Sequence, residues 1–185
     1  MSLAIAVIVG SLRKDSLNRR LAEALVRLAE GEGHAFRFSD IGDLPLYNQD
    51  EDKDQPAATK RLKAEIRAAD AVIFVTPEYN RSVPGVLKNA IDHASRPYGD
   101  SAWKGKPAGI IGVSPGAMGT AMAQQHLRNI LAALDVRVLA LPEAYLHYSD
   151  GMFAGDGTLT EKTGELAGKW LKAFLAHAAL HSGAG

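Results

Sequence analysis

The sequence contains no cysteine, which excludes disulfide bonds, thiolate nucleophiles and thiolate metal sites. It also lacks an excess of charge of either sign, since 21 lysine and arginine residues balance 21 aspartate and glutamate residues. This balance argues against a nucleic-acid or anionic-membrane partner. The apolar run at 3–10 is too short to span a bilayer, and no basic leader precedes it. We therefore expect a cytoplasmic protein without membrane insertion.

What remains is an ordinary globular composition. Hydrophobic residues make up 46% of the chain and charged residues 23%, as in typical soluble domains. A chain of 185 residues is long enough to bury roughly 70% of the surface that it exposes when unfolded. We therefore expect a single domain spanning 1–185, which needs no disulfide or metal ion to hold it together.

Apolar runs alternate with helix-like patterns along the chain. The predicted strands lie at 3–9, 35–39, 71–75, 107–113 and 136–141. Apolar residues at helical spacing follow each strand, and the last such segment places Leu166, Trp170 and Phe174 on one face. The tail at 181–185 is expected to fray. Repeated strand–helix units predict an α/β fold that is flavodoxin-like, a five-stranded parallel sheet of order 2-1-3-4-5 with helices on both faces.

Three polar loops follow the first, third and fourth predicted strands, at 10–18, 76–85 and 114–119. The carboxyl ends of parallel strands share one edge of the sheet, so these loops are expected to meet there. The first two flank the point at which the strand order reverses, and sheets of this kind bind their ligands at that point.

The loop at 10–18 has the composition of an anion site. Backbone N–H groups at a helix start are unpaired donors, and the helix dipole favours negative charge. Ser11, Ser16 and Asn18 add neutral donors, and Arg13 adds positive charge. Neither a Walker motif nor a G-x-G-x-x-G motif is present. The alternative is that Ser16 only caps the helix, Asn18 is exposed and Arg13 is solvated.

The loop at 76–85 is suited to a flat heterocycle. Pro77, Tyr79 and Asn80 predict an irregular, stiff turn whose backbone approaches a ring edge, and Tyr79 offers a ring face. The alternative is a tight turn with a helix cap from Ser82, and the two interpretations are evenly balanced.

Two further expectations concern the surroundings of that loop. Glu78 and Arg81 are expected to pair with each other or to face water. In the loop at 114–119, Ser114 and the glycines at 116 and 119 are placed to close the far side of the site. This third loop is weak evidence by itself.

These loops resemble those of the NADPH-dependent FMN reductase family. The resemblance rests on GSLRKDSLN at 10–18, PLYNQD at 45–50, TPEYNRSVPGVLKNAIDHASRP at 76–97, and the segment from SPGAMG to QQHLRNIL. It implies a flavodoxin-like fold and non-covalent FMN. By position, the implied FMN contacts are Ser11, Leu12, Arg13, Ser16, Leu17 and Asn18 in the phosphate loop, and Pro77, Glu78, Tyr79, Asn80 and Ser114 around the ring.

The resemblance also implies an activity. NADPH or NADH would deliver hydride to FMN, and a small-molecule acceptor such as a quinone would then take two electrons in a ping-pong scheme. No catalytic side chain and no metal are assigned, because the cofactor carries the chemistry. Family members form dimers or tetramers, so a homodimer or homotetramer is expected. One position departs from the family pattern, since Gly119-Thr120 stands where many members have a glycine pair.

Two other functions stay open at this stage. One is a non-enzymatic flavoprotein that acts as an electron carrier or as a redox-responsive binding protein. One-electron carriers of this fold usually present an acidic surface, whereas this chain has no net charge. The other is a phosphate-ligand binder without flavin.

Overall fold

A computed structural model describes residues 2–182. The strands are β1 Ala4–Val9, β2 Ala35–Ser39, β3 Ala71–Val75, β4 Pro107–Ser114, β5 Arg137–Val138 and β6 Tyr145–His147. The helices are α1 Leu17–Leu28, α2 Ala57–Ala68, α3 Gly85–Ala94, α4 Ala121–Ala133 and α5 Glu161–His181, with a single 3₁₀ turn at Gln49–Glu51. Most of the tail that was expected to fray lies outside the described residues, and His181 still belongs to α5.

The sheet is parallel and has the order β2-β1-β3-β4-β5, which confirms the predicted topology. The number of strands was wrong, because six strands are present in residues 2–182 instead of five. β5 pairs with the beginning of β4 at Pro107–Ala108, and β6 pairs with its end at Gly112–Ser114. The segment between β5 and β6 leaves the sheet and contains Pro142, which has no N–H to donate to a strand ladder. The predicted strand at 136–141 is therefore short.

The sheet separates two apolar layers. Along β1, Ile5, Val7 and Val9 pack with α1 and α5, whereas Ala6 and Ile8 pack with the helices of the opposite face. Burying each large side chain contributes about 1.5–3 kcal/mol to stability. Continuous apolar strands therefore fit a sheet that is covered on both faces.

The last helix contributes its aromatic residues to the core. Trp170 and Phe174 are fully buried, and their rings stack at a centroid distance of 5.6 Å. Leu166 was expected on the same buried face but is 41% exposed. The first buried residue of α5 is Ala167, so the start of this helix runs past the apolar layer.

Strand register brings the first and second polar loops together at one edge of the sheet. Val9 of β1 lies beside Val75 of β3, and Gly10 N donates to Val75 O at 2.9 Å. On the other side of β3, Thr76 N donates to Ile111 O of β4 at 3.0 Å. Among the described helices, none is both long enough and apolar enough to cross a bilayer.

Candidate functional site

The three polar loops line one groove of about 240 Å³ at the carboxyl ends of β1, β3 and β4, here called the central groove. Nine of the eleven residues predicted from the sequence line it: Ser11, Arg13, Ser16, Leu17, Asn18, Pro77, Glu78, Tyr79 and Ser114. Val113 and Pro115 complete the lining, and sequence reasoning had missed both. Leu12 and Asn80 do not line this groove.

The first loop leaves backbone donors free at the start of α1. Ser16 is the N-cap, and its Oγ accepts from Arg19 N at 3.1 Å. The capping interpretation is therefore right for Ser16, and it is compatible with an anion site because the Ser16 hydroxyl keeps its own hydrogen. Within residues 2–182, the backbone N–H groups of Ser11, Leu12 and Leu17 have no hydrogen-bond acceptor. These amides and the positive end of the helix dipole favour an anion.

Arg13 supplies the positive charge on this side of the central groove. Its side chain is exposed, and it forms no ion pair within the described part of the chain. Guanidinium groups bind phosphate oxygens with charge-assisted hydrogen bonds. The donor set of the loop therefore fits a phosphate group.

Asn18 is buried, so the alternative interpretation, in which this side chain is exposed, was wrong. Its Nδ2 donates to Val113 O at 2.9 Å, and its Oδ1 accepts from Val113 N at 3.0 Å. The Asn18 side chain thus makes the two hydrogen bonds with Val113 that a neighbouring strand would make, and these bonds join the start of α1 to the end of β4. A direct contact between Asn18 and a phosphate stays a prediction, because Oδ1 and one Nδ2 hydrogen already have partners.

The second loop forms a tight two-residue turn. Tyr79 N donates to Ser82 O at 3.1 Å, and Ser82 N donates to Tyr79 O at 3.0 Å. The two central residues have positive φ, 51° at Asn80 and 61° at Arg81. These are the features of a type I′ turn. The turn interpretation is confirmed, and the turn positions Pro77 and Tyr79 against the central groove.

The predicted helix cap from Ser82 was wrong. The N-cap of α3 is Pro84, which makes no side-chain hydrogen bond to the helix. Ser82 Oγ instead lies 2.9 Å from His126 Nδ1 of α4. The same turn therefore contacts the helix that follows β4.

Glu78 was expected to pair with Arg81 or to face water, and this too was wrong. The Glu78 carboxylate accepts from Met122 N at 3.0 Å and from Ala123 N at 3.1 Å. Thr120, the N-cap of α4, makes no side-chain cap of its own. Glu78 of the second loop thus caps α4, the helix that follows the third loop, and its negative charge stabilises the positive end of that helix.

Two glycines shape the backbone around the third loop, one in β4 beside the second loop and one within the third loop beside β6. A Cβ at Gly112 would lie 2.1 Å from Thr76 O and 2.6 Å from Thr120 Oγ1. Gly119 has a φ of +58°, which favours glycine. Thr120, at the position that departs from the family pattern, is fully buried, and its Oγ1 accepts from Gln124 Nε2 at 2.8 Å. The departure therefore adds a packed, hydrogen-bonded side chain behind the loop.

Titrating groups with shifted pKa lie outside the lining of the central groove. A hydrogen bond from Lys63 lowers the pKa of Asp100, and burial lowers the pKa of Lys106. Burial and the neighbouring Glu143 raise the pKa of Tyr145. Within residues 2–182, no group of three or more histidine, aspartate or glutamate side chains could hold a metal ion.

Known proteins with similar sequences and folds are flavoenzymes and quinone reductases. The chain is 50% identical over 175 residues to a 2-hydroxy-1,4-benzoquinone reductase of Burkholderia sp, covering 95% of this chain and 93% of that protein. It is 53% identical over 161 residues to a quinone reductase of Pseudomonas putida, covering 86% of each. Its fold matches FerB, a flavoenzyme NAD(P)H:(acceptor) oxidoreductase from Paracoccus denitrificans, with a TM-score of 0.92 and 48% identity, covering 97% and 98% of the two chains.

A family model agrees with these relatives. The model for NADPH-dependent FMN reductase matches residues 3–150, which include all three polar loops. The chain therefore belongs to the NADPH-dependent FMN reductase family, which confirms the resemblance together with the FMN cofactor and the reduced nicotinamide co-substrate expected from the sequence.

Proposed function

We propose that the chain is a single-domain quinone reductase that uses FMN and NAD(P)H, and that the first two polar loops hold opposite ends of one FMN. The observation that carries this proposal is the convergence of three loops, distant in sequence, on the central groove. The first loop carries cationic and N–H donors, and the second carries a stiff turn with an aromatic side chain. This division matches a molecule with a phosphate at one end and a flat ring at the other.

The phosphate end is assigned to the loop before α1. Arg13 neutralises charge, and Ser11 and Ser16 donate hydroxyl hydrogens. Free backbone N–H groups at the start of the helix add further donors for the phosphate oxygens. Leu17 lines the same end of the central groove, and Asn18 positions the loop through Val113.

The ring end is assigned to Pro77, Tyr79 and Ser114, which line the same groove. Tyr79 is 47% exposed, so its ring can flank a bound heterocycle. Glu78 is held by the α4 N-terminus, which fixes the backbone of the second loop. FMN, when bound, accepts hydride from the reduced nicotinamide and passes two electrons to the acceptor. The chain's own residues bind and orient the cofactor, and none is assigned as an acid or base.

The acceptor is proposed to be a quinone. The relatives named above include a quinone reductase and a 2-hydroxy-1,4-benzoquinone reductase, each at least 50% identical to this chain. Simple and hydroxylated benzoquinones are therefore the first acceptors to test. We also propose a homodimer or homotetramer, since Tyr79 and the exposed Met118 present apolar surface. A cytoplasmic location is supported by the absence of cysteine.

The direct experiment is turnover by purified protein reconstituted with FMN. NADPH or NADH oxidation should depend on both FMN and 1,4-benzoquinone. Protein that binds FMN but does not oxidise either nicotinamide in the presence of quinone would contradict the reductase and favour an electron carrier. Protein that binds no FMN would refute both. Light scattering with size-exclusion chromatography measures the number of subunits.

A further inference from the structure

An open cavity of about 430 Å³, here called the side cavity, lies between the tight turn of the second loop and α4. Its lining residues are Arg81, Ala121, Met122, Gln125 and His126. Tyr79 begins the same turn and lines the ring end of the central groove. The side cavity therefore adjoins the end of the central groove that is assigned to the flavin ring.

The wall of the side cavity is held to the second loop at two points. Glu78 accepts from Met122 N at 3.0 Å at the start of α4. One turn further along this helix, His126 Nδ1 lies 2.9 Å from Ser82 Oγ. Ala121 and Met122 are half-buried, and methionine packs well against flat rings. The side cavity thus offers a fixed, partly apolar surface to a ring that extends beyond the central groove.

Arg81 gives the side cavity a positive charge that has no partner. Its side chain is exposed and forms no ion pair within the described part of the chain. The acids that contact this region are engaged elsewhere, since Glu78 caps α4 and Glu143 lies 3.4 Å from Arg128. The guanidinium of Arg81 is therefore available to an anion.

The backbone at Arg81 supports a role for this charge. Arg81 is the second central residue of the type I′ turn and has a φ of 61°, at the position that glycine occupies in the common Asn-Gly turn. A residue with a β-carbon is strained there, and strained residues of this kind cluster at sites that bind ligands. The chain thus carries a long cationic side chain where glycine would fit the backbone better.

The geometry points to the side cavity as the place that receives a charged substituent of the acceptor, with Arg81 as the residue that makes the enzyme prefer anionic quinones to neutral ones. This inference rests on the proposed function, which places the flavin ring beside the turn. The class includes quinones with a sulfonate, a carboxylate or an ionised hydroxyl group. An ionised hydroxyquinone is a vinylogous carboxylate, and a guanidinium binds carboxylates with charge-assisted hydrogen bonds.

The first test is binding without turnover. Oxidised FMN-loaded protein has no electrons to pass on, so titration with a quinone, followed by flavin fluorescence, measures binding alone. The charged probe 1,4-naphthoquinone-2-sulfonate should bind about fivefold more tightly than neutral 2-methyl-1,4-naphthoquinone, as expected for one exposed ion pair. This preference should shrink as salt is raised, because salt screens exposed charges.

Three substitutions at one position separate charge from folding. Arg81→Gln should remove the preference for the charged probe, and Arg81→Lys should keep most of it. Arg81→Gly should also remove it, and here misfolding is not the cause, because glycine suits the backbone of this turn. A preference that survives Arg81→Gln, or that does not change with salt, overturns the inference.

The second test is kinetic and uses kcat/KM for each quinone, which in a ping-pong scheme reports only the half-reaction with the quinone. The two probes differ in reduction potential, so the ratio of their kcat/KM values is compared between variants. Arg81→Gln should lower the ratio of charged to neutral probe about fivefold. Lys88→Gln is the matched control, since it removes one positive charge from α3 and Lys88 lines neither cavity.

Equal changes of this ratio in Arg81→Gln and Lys88→Gln would refute a specific role for Arg81. Reduction of the neutral probe by the unmodified enzyme tests the proposed function by itself. Failure of the inference is therefore distinct from failure of the proposed function.

Discussion

The Asn18 clamp yields a prediction that separates a structural role from a ligand role. Asn18→Ala would leave Val113 N–H and C=O without partners in a buried position. Each unpaired group costs about 1–3 kcal/mol, so the free energy of unfolding should fall by about 3 kcal/mol. In a domain of this size, that loss lowers Tm by about 6–12 °C. The loss should appear in flavin-free protein, because the clamp joins two parts of the chain.

The assay is urea unfolding of flavin-free protein followed by circular dichroism. Asn48→Ala is a matched control, since Asn48 is exposed and its side chain caps only the 3₁₀ turn, through Asp50 N. The control should lose about 0.5 kcal/mol. A loss below about 1 kcal/mol for Asn18→Ala, comparable to the control, would refute the clamp. If Asn18→Ala lowered FMN affinity and left the free energy of unfolding unchanged, the main role of Asn18 would be to bind the phosphate.

Three further variants test the loops and their supports. Gly112→Ala should lower the free energy of unfolding by about 2 kcal/mol or more, because the added methyl group overpacks its surroundings. Gly85→Ala is the control: a Cβ at Gly85 would have no atom within 4 Å, so this variant should change the free energy of unfolding by less than about 0.5 kcal/mol. Arg81→Gly should raise the free energy of unfolding by about 1 kcal/mol, because glycine adopts the φ of 61° without backbone strain. An unchanged or lower free energy of unfolding would contradict backbone strain at Arg81. The hydrogen bond from Lys63 lowers the pKa of Asp100, so the Asp100 carboxylate stabilises the fold above its unfolded pKa of about 3.9 and loses this contribution as pH falls through the folded pKa. Asp100→Asn should therefore have a lower free energy of unfolding than the unmodified protein at pH 7, and this difference should disappear in acid. A difference that does not change with pH would refute the role of the Asp100 charge.

The strands could be predicted because they are buried on both faces and bounded by turn residues. β2 and β3 have the predicted bounds, 35–39 and 71–75. The apolar run at 136–141 predicts one longer strand, but pairing with β4 ends after Val138 and resumes at β6. β6 has only three residues, so its pattern is too short to be recognised in the sequence. It forms a strand because the end of β4 is left without a partner by β5.

The location of the candidate site was predictable, but the roles of its side chains were not. Loop composition and the topological switch point indicated the central groove. Asn18, however, finds its partner 95 residues away, and Glu78 caps a helix 44 residues away. Local sequence does not encode such contacts, so it assigned Asn18 to the ligand or to solvent, and Glu78 to the ligand, to solvent or to a pair with Arg81.

The most direct test of the central claim compares two ligands that differ only in the phosphate. Fluorescence titration of flavin-free protein should show FMN binding at least about a hundredfold more tightly than riboflavin, since two charge-assisted contacts in the Arg13 loop are worth about that factor. Arg13→Gln should narrow this ratio about tenfold and leave riboflavin affinity unchanged. Equal affinities for FMN and riboflavin in the unmodified protein would contradict the account, because the first loop would then hold no part of the cofactor.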